Sequence, residues 1–418
     1  MDNLALMESI SQKNEQKILL VVMDGLGGLS NPATGKTELE TANIPNLDKL
    51  ANRSACGLSI PVAYGITPGS GPAHLSLFGY DPLKYQIGRG VLEALGIGME
   101  LGKNDLCARA NFATMDYSTG KVIDRRAGRL PTEKNKELCA KISSKIKKTG
   151  DVEIIIRPAK GHRFVVVFRG DGLSENVTEN DPQKENNPPN KIQAGSVSKS
   201  SAGEGLPDAA ADAKKTAGLL NAFLTQVQEI IKNEKPANYI LMRGFSKYPD
   251  IPQMGQAYKL NPAAIATYPM YKGLAQLVGM KILNAGETLS SEIETLKREY
   301  ANHDFFYFHI KDTDAMGEDG NFDGKVKKFE EIDRYIPELL SLKPDVMIIT
   351  GDHSTPAVIK GHSWHPVPFM LMSKWTAGGE VSRFTERECL RGSLGTFHAT
   401  SAMSLAMAHS LKLAKFGA

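Results

Sequence analysis

Asp352 and His353 close a short apolar run, Val346-Met347-Ile348-Ile349, and a second apolar run, Pro366-Val367-Pro368-Phe369, follows His362 and His365. Apolar runs of this length ended by Gly or Pro read as buried strands of an α/β sheet, and in such sheets chemistry sits beyond the carboxyl ends. A carboxylate and an imidazole at that edge can reach a common ion. Two other strand signals end the same way. Lys17-Ile18-Leu19-Leu20-Val21-Val22-Met23 delivers Asp24, and Phe305-Phe306-Tyr307-Phe308-His309-Ile310 leads to Asp314. Three carboxylates (Asp24, Asp314, Asp352) and two imidazoles (His353, His362) on one edge are costly to hold together without a cation. Two divalent ions about 3.5–4 Å apart are a common solution in phosphoryl chemistry. Oxygen and nitrogen donors without thiolates suit manganese, zinc or magnesium.

Ser70 stands on a turn of its own, Thr67-Pro68-Gly69-Ser70-Gly71-Pro72, where it can open a helix continuing through Leu75-Ser76-Leu77-Phe78. A hydroxyl at a helix N-terminus has backbone N–H groups beside it that suit a phosphate, and a nearby metal would make it a nucleophile. An ordinary Gly/Pro loop with a capping serine fits the same local sequence. Thr34-Gly35-Lys36-Thr37 looks like the end of a phosphate-binding P-loop, but Ser30 occupies the position of the required first glycine. That motif is rejected.

The elements that must position these groups follow the order of β-α units, an insert, then more β-α units. The fold class is therefore α/β, with residues 1–87 and 237–418 forming one discontinuous domain and 88–236 an inserted α+β domain. Within the insert, Ala108–Ala113 and Arg163–Arg169 read as strands, with Asp124-Arg125-Arg126-Ala127-Gly128-Arg129 between them. Guanidinium forks match carboxylate and phosphate oxygens two at a time, so this cluster suits a phosphorylated acid; a solvated charge run is the ordinary alternative. Asp171 to Lys199 is Pro/Asn/Ser-rich and reads as a long loop. Amphipathic helices are expected over Ala213–Lys232 and Lys325–Leu340, and a last one through Met403 and Leu411.

Composition narrows the class. The 418 residues carry a net charge of only +3, from 50 basic and 47 acidic side chains, which points to no nucleic-acid partner. No apolar run reaches the roughly 18 residues of a membrane span. Cys56, Cys107, Cys139 and Cys389 are scattered, as expected of reduced thiols in a cytoplasmic protein.

Together D-G-L-G-G, T-P-G-S-G-P-A-H-L, D-R-R-A-G-R, Y-P-M-Y-K-G-L-A and T-G-D-H-S-T-P…H-S-x-x-P-V-P resemble the archaeal-type cofactor-independent phosphoglycerate mutases of the alkaline phosphatase superfamily. The likeness runs from about Ile18 to the C-terminal Ala418. It implies an alkaline-phosphatase-like three-layer domain interrupted by a smaller substrate domain, and a mutase that interconverts 3- and 2-phosphoglycerate without free 2,3-bisphosphoglycerate. By that resemblance Ser70 is transiently phosphorylated. One ion is held by Asp24, Ser70, Asp352 and His353, and the other by Asp314, His362 and a histidine four residues after Asp314. Glu318 stands in that last position, and a carboxylate there favours a harder ion. Asp124 is the implied acid–base partner. Arg125, Arg126, His162, Arg163, Arg243 and Lys272 are the implied substrate contacts, and closure of the insert excludes water. A homoserine-kinase-like phosphotransferase, a phosphomonoesterase and a catalytically silent homologue are the rival readings. Whether the chain forms a homo-oligomer is left open.

Overall fold

The computed structural model describes residues 3–195 and 207–417, so residues 196–199 of the expected long loop and the final Ala418 lie outside the described residues. Two compact units are present: residues 1–86 with 251–418, and residues 87–250.

The larger unit is built on an eight-stranded sheet. Its order is Lys281–Ile282, Pro262–Ile265, Phe305–Ile310, Ile18–Met23, Val346–Thr350, Val367–Ser373, Ala55–Ile60 and Gly395–His398. The first five are mutually parallel, and Val367–Ser373 is antiparallel to both of its neighbours. Ile18–Met23 is buried at every position, as a strand covered on both faces must be. Alternation sends Leu19, Val21, Met23, Phe306, Phe308, Met347 and Ile349 into one core, which they share with the helices Pro45–Ala51, Leu289–Glu299 and Phe322–Asp333. On the opposite face Tyr307 and His309 meet His74 and Tyr271, from the helices Ser70–Leu77 and Pro269–Leu277. Helix, sheet and helix make three layers.

The register decides where the polar residues go. Met23 pairs with Ile310 and Val22 with Thr350, so the segments bearing Asp24, Asp314 and Asp352 leave the sheet at one edge. Gly25 makes the first of these exits workable. Its φ is +65°, and a Cβ there would lie 2.5 Å from Thr355 Oγ1.

The smaller unit has a six-stranded sheet in which Asp105–Asp116 lies between Arg163–Arg169 and Tyr239–Lys247. One face carries Leu106, Ala108, Ala110, Phe112, Phe164, Val166, Phe168 and Met242 against the helices Thr132–Lys145 and Pro207–Ile231. The unit extends to Asp250 rather than ending at 236, because Tyr239–Lys247 completes this sheet through its antiparallel ladder with Leu106–Ala113. Tyr239–Lys247 opens on an apolar run that either sheet could have used, and the partner strand settled the matter.

Other departures are local. The helix expected over Lys325–Leu340 is two, Phe322–Asp333 and Ile336–Ser341, with Pro337 in the first turn of the second. Proline cannot supply the amide that a continuous helix needs there. The loop after Asp171 is tied down along the strand Tyr239–Lys247. Glu175 accepts from Lys247 N (2.8 Å), Glu179 from Gly244 N (2.7 Å) and Asn180 from Met242 N (2.6 Å). Side chains thus pair strand amides that no neighbouring strand takes.

Candidate active site

Asp24, Asp352 and His353 are fully or almost fully buried where their strands end. Gly25 N donates to Asp352 Oδ1 (3.1 Å), which ties the first exit loop to the third. His353 Nε2 lies 3.2 Å from Asp352 Oδ2, 3.5 Å from Asp24 Oδ1 and 3.3 Å from Ser70 Oγ. Its Nδ1 faces Thr355 Oγ1 at 2.9 Å, and that hydroxyl donates to Asp314 Oδ1 (2.8 Å). His362 stacks on His353 at 3.7 Å, with Nε2 3.6 Å from Asp314 Oδ1 and Nδ1 2.9 Å from Pro68 O.

Two groups of donor atoms result, each with all members within 4.8 Å of one another: Asp24, Asp352 and His353, and Asp314, His353 and His362. His353 belongs to both. Among the described residues Asp24 Oδ1 is buried without a hydrogen-bond partner, and Asp352 Oδ2 makes no aligned hydrogen bond despite the nearby imidazoles. Buried carboxylate oxygens left open toward two imidazoles fit divalent cations with oxygen and nitrogen ligands. Ser70, as N1 of the helix Ser70–Leu77, stands at the edge of the first group.

Glu318 is set apart. Its side chain is 56% exposed, its Oε1 is 3.8 Å from His362 Nε2, and it is in neither group. His365 stacks on Trp364 and is in neither group.

The electrostatics are settled partly by residues not singled out from the sequence. Burial alone would push Asp24 up, but the His309 imidazole 3.5 Å away and the charge of Lys311 hold it well below the ordinary carboxylate value. For Asp352, burial and Asp24 push upward, while His353 and His74 bring it below the ordinary value. Burial pushes His353 down, toward the neutral form that a ligand requires. The Lys311 ammonium bridges Asp24 Oδ2 (2.9 Å) and Asp314 Oδ2, one carboxylate from each group. Lys325 is buried beneath both loops, and its three donors reach Gly25 O (2.8 Å), Gly27 O (3.1 Å) and Thr355 O (2.9 Å). Lys311 was within reach of sequence reasoning, since it stands at the same strand end as Asp314. His74 was too, one turn beyond Ser70. Lys325 gave no signal, because one lysine on an amphipathic helix looks like any other.

The smaller unit holds a different constellation. Arg109 and Asn111 alternate with the core residues of their strand, and Arg243 and Arg163 are their cross-strand partners, so all four share the non-core face. Arg109 Nε, Arg243 Nε and Asn111 Oδ1 are buried without a hydrogen-bond partner. Burial, then the nearby Arg243, Arg163 and Arg89, bring Arg109 down to about 10 against the pull of Glu93. His162 is brought down to about 4 by burial and by Arg163, Arg109 and Arg126, so it is neutral at pH 7. Arg109 escaped the sequence reading because a single arginine in a strand carries no motif.

Of the other expected contacts, Arg125 is committed to a bidentate pair with Asp181, at 2.9 and 2.7 Å. Arg126 is exposed. Asp124 accepts Arg126 N (2.7 Å) and Gly128 N (2.6 Å), closing its own turn. Lys272 is half-buried in the first turn of Pro269–Leu277, in the larger unit.

Comparison with known proteins agrees with this architecture. Residues 51–238 match the family model described as 2,3-bisphosphoglycerate-independent phosphoglycerate mutase. A Thermotoga maritima protein is 55% identical over 97% of both chains, and a Thermus thermophilus protein is 50% identical over the whole of both. Each is named a probable 2,3-bisphosphoglycerate-independent phosphoglycerate mutase. Among solved structures, a Pyrococcus horikoshii protein superimposes with a TM-score of 0.81 at 28% identity, covering 97% of this chain and 100% of that one. The cofactor-independent phosphoglycerate mutase of Thermoplasma acidophilum gives a TM-score of 0.67 at 29% identity, covering 94% and 99%. By its identity to these relatives over nearly its full length, and by the mixed α/β fold it shares with the solved members, the chain belongs to the 2,3-bisphosphoglycerate-independent phosphoglycerate mutases, a family of isomerases.

Proposed function

We propose that this chain interconverts 3-phosphoglycerate and 2-phosphoglycerate through a phosphoserine on Ser70, with two divalent ions and without free 2,3-bisphosphoglycerate. The observation that carries the reading is the convergence of both donor groups on His353, whose Nε2 lies 3.3 Å from Ser70 Oγ. Asp24, Asp352 and His353, beside Ser70, would hold one ion. Asp314 and His362 would hold the other, with Glu318 at its exposed margin, since His353 has only its Nε2 lone pair to give while its Nδ1 faces Thr355 Oγ1. Manganese, magnesium or zinc bound there would lower the hydroxyl's pKa and neutralise charge on the phosphoryl oxygens.

The chain's own residues supply the rest. Ser70 Oγ forms the new O–P bond as the bond from phosphorus to the substrate's C3 oxygen breaks, and that oxygen gains a proton. The second half reverses these events at the C2 oxygen. Asp124 is the proton partner in this scheme, using lone pairs not taken by the amides of Arg126 and Gly128. Carboxylate recognition falls to Arg163, Arg243 and His162, with Arg125 and Arg126 from the turn that follows Asp124. Lys272 and Lys311 are the lysines assigned to phosphoryl oxygens. A cytoplasmic location belongs to the same proposal and is supported by four buried, free thiols.

The test is an enolase-coupled assay of manganese-loaded protein with 3-phosphoglycerate and no added bisphosphate, beside a second assay with ATP and homoserine. Turnover is expected only in the first. Ser70→Ala should reduce it by at least about 10³-fold. Activity that survives the substitution overturns the phosphoserine route.

A further inference from the structure

We infer that Tyr271 is a positioning residue for the cation group of Asp24, Asp352 and His353, which keeps one oxygen of Asp24 occupied so that the other is left for the ion. This rests on the reading of Asp24 as a metal ligand.

The two oxygens of Asp24 are treated differently by the fold. Oδ2 accepts the Tyr271 hydroxyl and lies 2.9 Å from Lys311 Nζ and 3.5 Å from His309 Nε2. Oδ1 has no hydrogen-bond partner and faces His353 Nε2 at 3.5 Å. A carboxylate is symmetric, so on its own it could turn over or chelate an ion through both oxygens. A donor fixed to one oxygen removes that freedom. Outer donors of this kind set ligand orientation and are worth about 10–100-fold in metal affinity.

Tyr271 is well held for the task. It is 1% exposed, in a helix started by Pro269, and its ring stacks on His309 at 3.8 Å and 28° and lies 4.9 Å from His74. Lys311 does not duplicate this function, because its flexible ammonium is shared with Asp314.

Tyr271→Phe isolates the claim, since it keeps the ring stack and removes only the hydroxyl. Wild-type and variant protein, stripped with chelator, would be titrated with Mn²⁺ alone and followed by calorimetry and by electron paramagnetic resonance. One of the two ions is expected to bind about 10–100-fold more weakly in the variant. The other ion's affinity and the thermal unfolding of the stripped protein should match wild type. Turnover should lose more in kcat than it gains in KM. Equal binding of both ions by the two proteins overturns the inference, as does a uniform weakening accompanied by a lower melting temperature. A wild type that takes up no manganese overturns the two-ion reading beneath it, which is a separate and recognisable result.

Discussion

The carboxyl edge of the eight-stranded sheet and the non-core face of the six-stranded sheet each gather like charges, of opposite sign, and handle them differently. At the edge, Asp24, Asp314 and Asp352 are answered from within. Lys311 bridges two of them, His309 and His74 stand beside Asp24 and Asp352, and Lys325 ties down the loops that carry them. What stays open are two oxygens, Asp24 Oδ1 and Asp352 Oδ2, both facing His353 Nε2. On the arginine face the fold supplies much less. Arg109 is offset chiefly by Glu93 and is opposed by Arg243, Arg163 and Arg89. The first region answers its carboxylates with cations of its own, and the second keeps buried guanidiniums that repel one another.

The comparison can be broken where the effect is largest, at Arg109. If that guanidinium waits for a substrate anion, Arg109→Met should raise KM about 10–100-fold, as expected for losing a charged hydrogen bond, with kcat changed far less. Ligand-free stability should hold or rise by about 1 kcal/mol, because a buried, repelled cation has gone. A steady-state assay and a urea melt give both answers. A variant that keeps its KM but unfolds more easily would show that Arg109 is structural.

The same face makes a pH prediction. His162 titrates at about 4 in the folded protein, against about 6.5 when unfolded, so folding opposes its protonation. Its contribution is fully present above pH 6.5 and is lost as pH falls through 4. Replacing it by Gln should therefore flatten the acid side of the stability curve in that window by about 1–3 kcal/mol. Identical curves for the two proteins would mean that neither burial nor the arginines hold His162 down.

The smallest effect is expected at the edge of the metal region. Glu318 is 56% exposed and belongs to neither donor group. Glu318→His should shift manganese-supported turnover by no more than about threefold, a change of under 1 kcal/mol. Activity ratios with manganese, magnesium and zinc should move more than the rate itself. A loss of two orders of magnitude would place Glu318 among the ligands and redraw the second group.

Much of the metal edge was legible because strand ends carry their own signals. Ile18–Met23, Phe305–Ile310 and Val346–Thr350 are apolar runs, and a polar residue just past each can only sit at the sheet's rim. Ser70 was marked by flanking glycines and prolines. The arginine face was less legible, since strand alternation says that two faces differ but not which strands will be neighbours. Asp124 and Arg125 illustrate the gap. The cluster is plain in the sequence, yet the structure commits Arg125 to Asp181, 56 residues away, and turns Asp124 onto its own backbone.

By itself, then, the sequence determined the α/β order, the strands that lead to Asp24, Asp314 and Asp352, and the serine turn, because each depends on local periodicity or on turn chemistry. Only the tertiary structure decided that His353 serves both donor groups, that Lys311 joins two carboxylates, that Tyr271 and Lys325 brace the site from behind, and that Tyr239–Lys247 completes the smaller sheet. Those outcomes depend on distances between residues far apart in the chain, set by sheet register and helix packing, and no local pattern encodes them.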